Sequence, residues 1–365
     1  MERDHTDSPA GQGNSGPFLA RLAAEAPILL IATAIFLACL GVMAMNGIYA
    51  GPSCYGLNAQ ICLASAVVLL ALDMVRGLRK ARPASPLAFL RDRYLAPEYR
   101  ARMLAGLPML WVFIVFMPLF SRMKAMIPLL NEYTWDPVFI AWDRALFFGL
   151  DGWQVLQPVL GYPPVTAFLA VLYQLWFLLL YPGCLFFCFF RMDELTRRRF
   201  FLSFVLTWAV IGIVAATALA SVGPCFMEPL LGNPHFAAQM AYLNAANQQV
   251  PILTLEVQQW LLAGFNADAG SLGSGITAMP SMHVSMAVLY FLTMRHISRR
   301  AAPFFLGFCV LIFIASVHLA YHYAVDGIVS AAATAAIWWG TKHFLAWWDR
   351  RRGKAFPTAA RPAIA

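Results

Sequence analysis

Eight stretches of this chain are long and apolar enough to cross a lipid bilayer, and no other feature narrows its possible folds as much. Spanning the hydrocarbon core as a helix takes about 20 mostly apolar residues, with a range of roughly 17–25. The candidates lie at 27–46, 58–76, 104–121, 164–190, 200–222, 280–296, 302–320 and 322–346. The stretch from 302 to 346 carries only Asp326 and Lys342 as formal charges and is too long for one span, so the polar cluster HLAYHY at 318–323 marks a turn. Composition agrees: 61% of the 365 residues are hydrophobic and 12% are charged, against about a quarter charged in a soluble domain. The expected fold is an all-α polytopic membrane protein with about eight transmembrane helices.

The loops sort by charge. Arg76, Arg79, Lys80, Arg82, Arg91, Arg93, Arg100 and Arg102 crowd the connection between the second and third spans. Arg191 and Arg197 to Arg199 fall between the fourth and fifth, Arg295, Arg299 and Arg300 after the sixth, and Arg350 to Arg352 with Lys354 after the eighth. The positive-inside rule makes these loops and both termini cytoplasmic. The alternate loops are nearly free of Lys and Arg, and 223–279 has none. The net charge of +8 therefore reports topology; no basic, aromatic-laced groove for nucleic acid is legible.

Two outer loops are long. Residues 122–163 include YTWDPVFIAWDRALFFGLDGWQVL, which reads as one or two helices lying in the interface. The loop 223–279 holds VPILTLEVQQWLLAGF, another interfacial helix, and then the glycine-rich NADAGSLGSGIT. The polar first sixteen residues are expected to be disordered. An acidic start before a long apolar run indicates a retained first span, not a cleaved signal peptide. The domain reading is a flexible N-terminal tail over 1–26, one membrane domain over 27–346 and a basic C-terminal tail over 347–365, without internal repeats. The seven cysteines show no CxxC and no zinc spacing. Cys54 and Cys225 fall in outer loops, where a disulfide and two separate thiols are both open readings.

With this topology, ionisable residues far apart in sequence converge on one non-cytoplasmic face. His283 begins the sixth span, His318, His322 and Asp326 lie at the turn between the seventh and eighth, and Arg122 and Lys124 follow the third. Such groups are costly in an apolar setting, and their gathering points to a site. In HYAVD, His322 and Asp326 are four apart and share a face if helical. The carboxylate would fix the imidazole tautomer and leave the other ring nitrogen a competent nucleophile. In PSMH, Pro280 suits a first helical turn, whose free N–H groups favour an anion beside His283. The segment SLGSGI adds flexible backbone for phosphate oxygens.

PSMH followed by HYAVD resembles the type 2 phosphatidic acid phosphatase superfamily, whose patterns are Pro-Ser-x-His and His-x-x-x-Asp. AMPSMH, HYAVD and the outer segment SRMKAMIPLL…WDPVFIAWDRALFFG are closer to bacterial members of its inositol phosphorylceramide synthase branch. The resemblance implies a six-helix core over about 104–346, lipid substrates and no metal or other cofactor. It makes His322 the nucleophile of a phosphohistidine, Asp326 its orienting partner and His283 the general acid, with Ser281 and nearby backbone on the phosphate. Its bacterial members point to a bacterial inner membrane, where the charge pattern turns the active site toward the periplasm or cell exterior; a homo-oligomer is an open reading.

Two departures bear on the substrate. The family's Lys, six residues, then Arg-Pro is absent, leaving Arg122, Lys124 and Arg144 as candidate replacements. The slots of its Ser-Arg, seven and six residues before the nucleophile, hold Ala315 and Ser316. Fewer cations favour a phosphodiester monoanion over a phosphomonoester dianion, and so head-group transfer over phosphate removal. His318 and Tyr323 are further substrate-binding candidates, with a structural role open for His318. The competing readings are a lipid phosphate phosphatase, a metal held by His318, His322 and Asp326, and a transporter with proton-carrying histidines. Asp136, Asp143 and Arg144 read as a loop ion-pair network.

Overall fold

The computed structural model describes residues 16–48, 52–189, 192–266 and 275–353. The polar N-terminal stretch, most of NADAGSLGSGIT, the Cys54 side chain and the chain from residue 354 lie outside the described residues, so the Cys54–Cys225 question does too; Cys225 itself is buried.

The described chain is helical, without strands. In order come α1 (Gly16–Met45), α2 (Pro52–Ala81), α3 (Pro86–Leu95), α4 (Pro97–Ala125) and α5 (Ile127–Leu130). Then follow α6 (Asp136–Leu146), α7 (Gly152–Leu160), α8 (Pro163–Phe189), α9 (Glu194–Ala218) and α10 (Pro224–Leu231). The last are α11 (Ala237–Gln249), α12 (Leu253–Asn266), α13 (Met282–Ile297), α14 (Ala302–His318) and α15 (Ala324–Arg351). Helices α1, α2, α4, α8 and α9 are long and apolar enough to cross a membrane, and α14 is a shorter apolar helix. With α13 and α15 they occupy the eight expected positions, and the protein is an all-α polytopic membrane protein. The turn falls where the polar cluster puts it, between His318 and Ala324. Helix α1 begins at Gly16 and α15 continues to Arg351, both past the expected tail boundaries.

Helix α13 forms the centre of the bundle, packed on α14, α15 and α9, and its residues from Val284 to Tyr290 are all buried. Helices α1 and α2 pack against α4. Their outer faces stay apolar, with Leu30, Leu37, Leu63 and Val67 exposed, as a surface in contact with acyl chains requires. Two long helices contain π-helical turns, Leu179–Gly183 in α8 and Thr207–Ala215 in α9. Pro182, which has no N–H for the regular ladder, sits in the first.

Arg197 and Arg198 are not loop cations but buried residues of α9. Arg197 pairs with Glu25 of α1, and Arg198 makes a two-pronged pair with Asp349 of α15 at 2.9 and 3.0 Å. Arg199 donates to the Trp338 carbonyl at 2.9 Å and lies over its ring. A buried guanidinium is tolerable only when paired, and these pairs tie the first and last helices to α9. Between α4 and α8 the connection forms α5, α6 and α7, where one or two helices were expected; between α9 and α13, α10 and α11 join the expected α12.

Candidate active site

His322 lies in the five-residue turn Leu319–Tyr323, whose backbone folds back on α14: Tyr321 and His322 both donate their N–H to the Ser316 carbonyl at 3.1 Å. Helix α15 then starts at Ala324, so His322 and Asp326 do not share a helical face as the spacing implied. Asp326 sits in the first turn and reaches back. Its Oδ2 meets His322 Nδ1 at 3.1 Å and accepts the Tyr323 N–H at 3.1 Å. The carboxylate is fully buried and His322 is 7% exposed. With Nδ1 on the carboxylate, Nε2 is the nitrogen left free for chemistry.

His283 enters from α13. Ser281, fully buried, is the N-cap, its Oγ 3.5 Å from the Val284 N–H. Pro280 therefore precedes the helix and does not stand in its first turn, because the cap position falls one residue later. The His283 ring lies between two aromatic rings of α8: Tyr173 at 4.2 Å and 14°, and Trp176 at 4.2 Å and 33°. Trp176 Nε1 also donates to the His283 carbonyl at 3.1 Å. Tyr173 stacks in turn on Tyr321 at 5.1 Å, so one aromatic column runs between the two histidine segments. Nothing in the sequence marks Tyr173 or Trp176 out from the other aromatics of an apolar span.

A cavity of about 670 Å³ joins these parts; His283, His322 and Lys124 all line it. Lys124 reaches it from the end of α4, on the stripe that also presents Met117, Phe120 and Ser121. Arg122 does not line it: two residues away on a helix is nearly the opposite face. Away from the histidines the wall is mostly apolar and includes Leu57 and Ile61 of α2 and Phe177 of α8.

The remaining expected contacts lie elsewhere. Arg144 is exposed and donates to the Gly149 carbonyl at 3.0 Å. His318 is buried away from the cavity, with Nε2 2.9 Å from the Thr166 hydroxyl. The reading of His318, His322 and Asp326 as a metal trio finds no support in this arrangement, and among the described residues no group of three or more His, Cys, Asp or Glu is arranged to hold a metal ion. Ser281 faces its own helix, and the Tyr323 hydroxyl donates to Asp136 at 2.7 Å.

The anticipated network of Asp136, Asp143 and Arg144 is also replaced. Both carboxylates accept backbone N–H groups, which need a partner where water is largely excluded. Asp136 takes Val222 and Gly223 at 3.0 and 2.9 Å, and Asp143 takes Ala324 and Val325, at the start of α15, both at 2.9 Å. Burial holds the Asp143 carboxyl above the usual aspartate range, outweighing the two N–H bonds that pull it down. Burial likewise raises the Tyr321 phenol, keeping it neutral at the cavity wall.

A bundle of membrane helices with Pro-Ser-x-His and His-x-x-x-Asp histidines on one cavity defines a phosphatase-like class of membrane protein. The family model for the PAP2 superfamily matches residues 138–340, more than half of the chain, and the chain belongs to that superfamily. No curated protein and no solved structure matches it.

Proposed function

We propose that this protein moves a phospho-head group from a lipid donor to a hydroxyl acceptor, with His322 carrying the phosphorus between them. Nε2 of His322 attacks the phosphorus and forms a P–N bond as the lipid P–O bond breaks. His283 gives a proton to the departing alkoxide. The acceptor hydroxyl then attacks the phosphohistidine, returns a proton to His283 and frees the imidazole. Asp326 holds the His322 tautomer and offsets the charge that grows on the ring. The same carboxylate serves both half-reactions.

The observation that carries the transfer reading is that Lys124 is the one Lys or Arg among the described residues lining the cavity. A single ammonium matches a phosphodiester monoanion better than a monoester dianion. The apolar remainder of the wall suits an acyl chain and keeps water scarce at the intermediate. The motifs' likeness to the inositol phosphorylceramide synthase branch supports the same choice. In this reading the site faces the periplasm or cell exterior of a bacterial inner membrane, because the basic loops gather at the other end of the bundle.

The deciding experiment incubates purified protein with a phospholipid labelled in its head group, an acceptor lipid, and separately labelled phosphatidate. Transfer predicts labelled acceptor and little free phosphate. Phosphate release from phosphatidate without head-group transfer would make the protein a lipid phosphate phosphatase.

A further inference from the structure

His283 arrives on α13 and His322 in the turn between α14 and α15, so their separation must be set by something that touches both segments. The backbone of Ser221–Gly223, just beyond α9, does so. On one side the Ser221 carbonyl accepts the Ala278 N–H at 3.0 Å, and its hydroxyl accepts the Met279 N–H at 3.1 Å, four residues before His283. On the other side Gly223 lies against the Tyr321 carbonyl. Its φ is +85°, and a Cβ built there would stand 2.8 Å from that oxygen. Two residues later, the Cys225 N–H donates to the Ala320 carbonyl at 2.8 Å.

Asp136 of α6 closes this bridge. It is fully buried and uses both oxygens: Oδ2 for the Val222 N–H, and Oδ1 for the Gly223 N–H and the Tyr323 hydroxyl. Tyr323 is the residue after His322. We propose that Asp136 is a positioning residue, fixing through Ser221–Gly223 and Tyr323 the distance at which His283 and His322 face one phosphorus. The inference rests on the reading of those histidines as the reacting pair. It assigns α6, an outer-loop helix, a place in turnover although it does not line the cavity.

The test uses two variants of the full-length protein. Asp136→Asn keeps the shape but sets an NH2 where one oxygen accepted an N–H, so at least one donor loses its partner. Tyr323→Phe removes only the arm to the His322 segment and leaves the Val222 and Gly223 bonds in place. Misplacement of about 1 Å costs up to roughly 100-fold in rate. The expected result is therefore a fall in kcat of about tenfold to 100-fold for Asp136→Asn and a smaller fall for Tyr323→Phe, with KM within about twofold of wild type for both. Rates are taken per folded molecule, and the structure of each variant is determined beside wild type. Widened separation of the two imidazoles with unchanged KM supports the inference. Wild-type separation, or a lowered melting temperature with unchanged kcat, overturns it. Widened imidazoles in a protein whose wild type handles no phosphate ester would keep the positioning role and remove the functional reading instead.

Discussion

At the scale of single residues, the charge distribution in the cavity is the most exposed part of the account. Lys124→Met removes the cation among the described lining residues and is expected to raise KM for an anionic lipid by about tenfold or more, the scale of a lost charged hydrogen bond. Arg122→Met, two residues away, should leave KM within about twofold. Steady-state kinetics on both variants checks the pair, and equal losses would put the cavity's charge in the wrong place. The sequence made His283, His322 and Asp326 legible because two short motifs name them. It left Lys124 and Arg122 undivided, because helical phase near a helix end depends on where the turns fall. The stacking of Tyr173 and Trp176 on His283 left no trace, since aromatic residues in an apolar span are ordinary.

Among elements, the start of α15 matters most, because it carries Asp326 and begins two residues after His322. Its first N–H groups are satisfied from another helix by Asp143, in addition to the Asp326 bond to Tyr323. Asp143→Ala leaves the buried Ala324 N–H and the half-buried Val325 N–H without their partner, at a cost of about 1–3 kcal/mol for the buried one. Both a lower melting temperature and a lower kcat are expected, read by thermal unfolding in detergent and by initial rates. Far from the site, Arg198→Met strands Asp349 and should cost about 3–5 kcal/mol of stability, as broken buried pairs do, with KM unchanged. The eight spans and the turn at 318–323 were readable because hydropathy and length determine them. Asp136, Phe139 and Asp143 follow helical spacing and all lie on the buried face of α6. In the sequence, Asp136 and Asp143 instead group with Arg144 as a loop ion-pair network. Their actual partners left no trace, since they are backbone N–H groups and the Tyr323 hydroxyl, all more than eighty residues away in the chain.

For the whole molecule, the question is how a lipid reaches histidines set inside a helical bundle. The cavity runs from His283 and His322 to side chains of α2 and to the exposed Leu57 and Phe177, so the acyl chain is expected along this apolar wall. Helix α2 lies outside the residues matched by the family model and yet lines the cavity. Ile61→Trp should fill part of it, slowing turnover of a long-chain donor while sparing a short-chain one; equal rates on both would place the chain elsewhere. A transporter would keep ion flux in His322→Ala without ever showing phosphotransfer. The most direct test of the central claim is rapid quenching of the protein with a donor labelled at phosphorus, followed by mapping of acid-labile label. Label is expected on His322, with its loss in His322→Ala and slower formation in His283→Ala. Turnover of that donor with no label on His322, or with label on another residue, would contradict it.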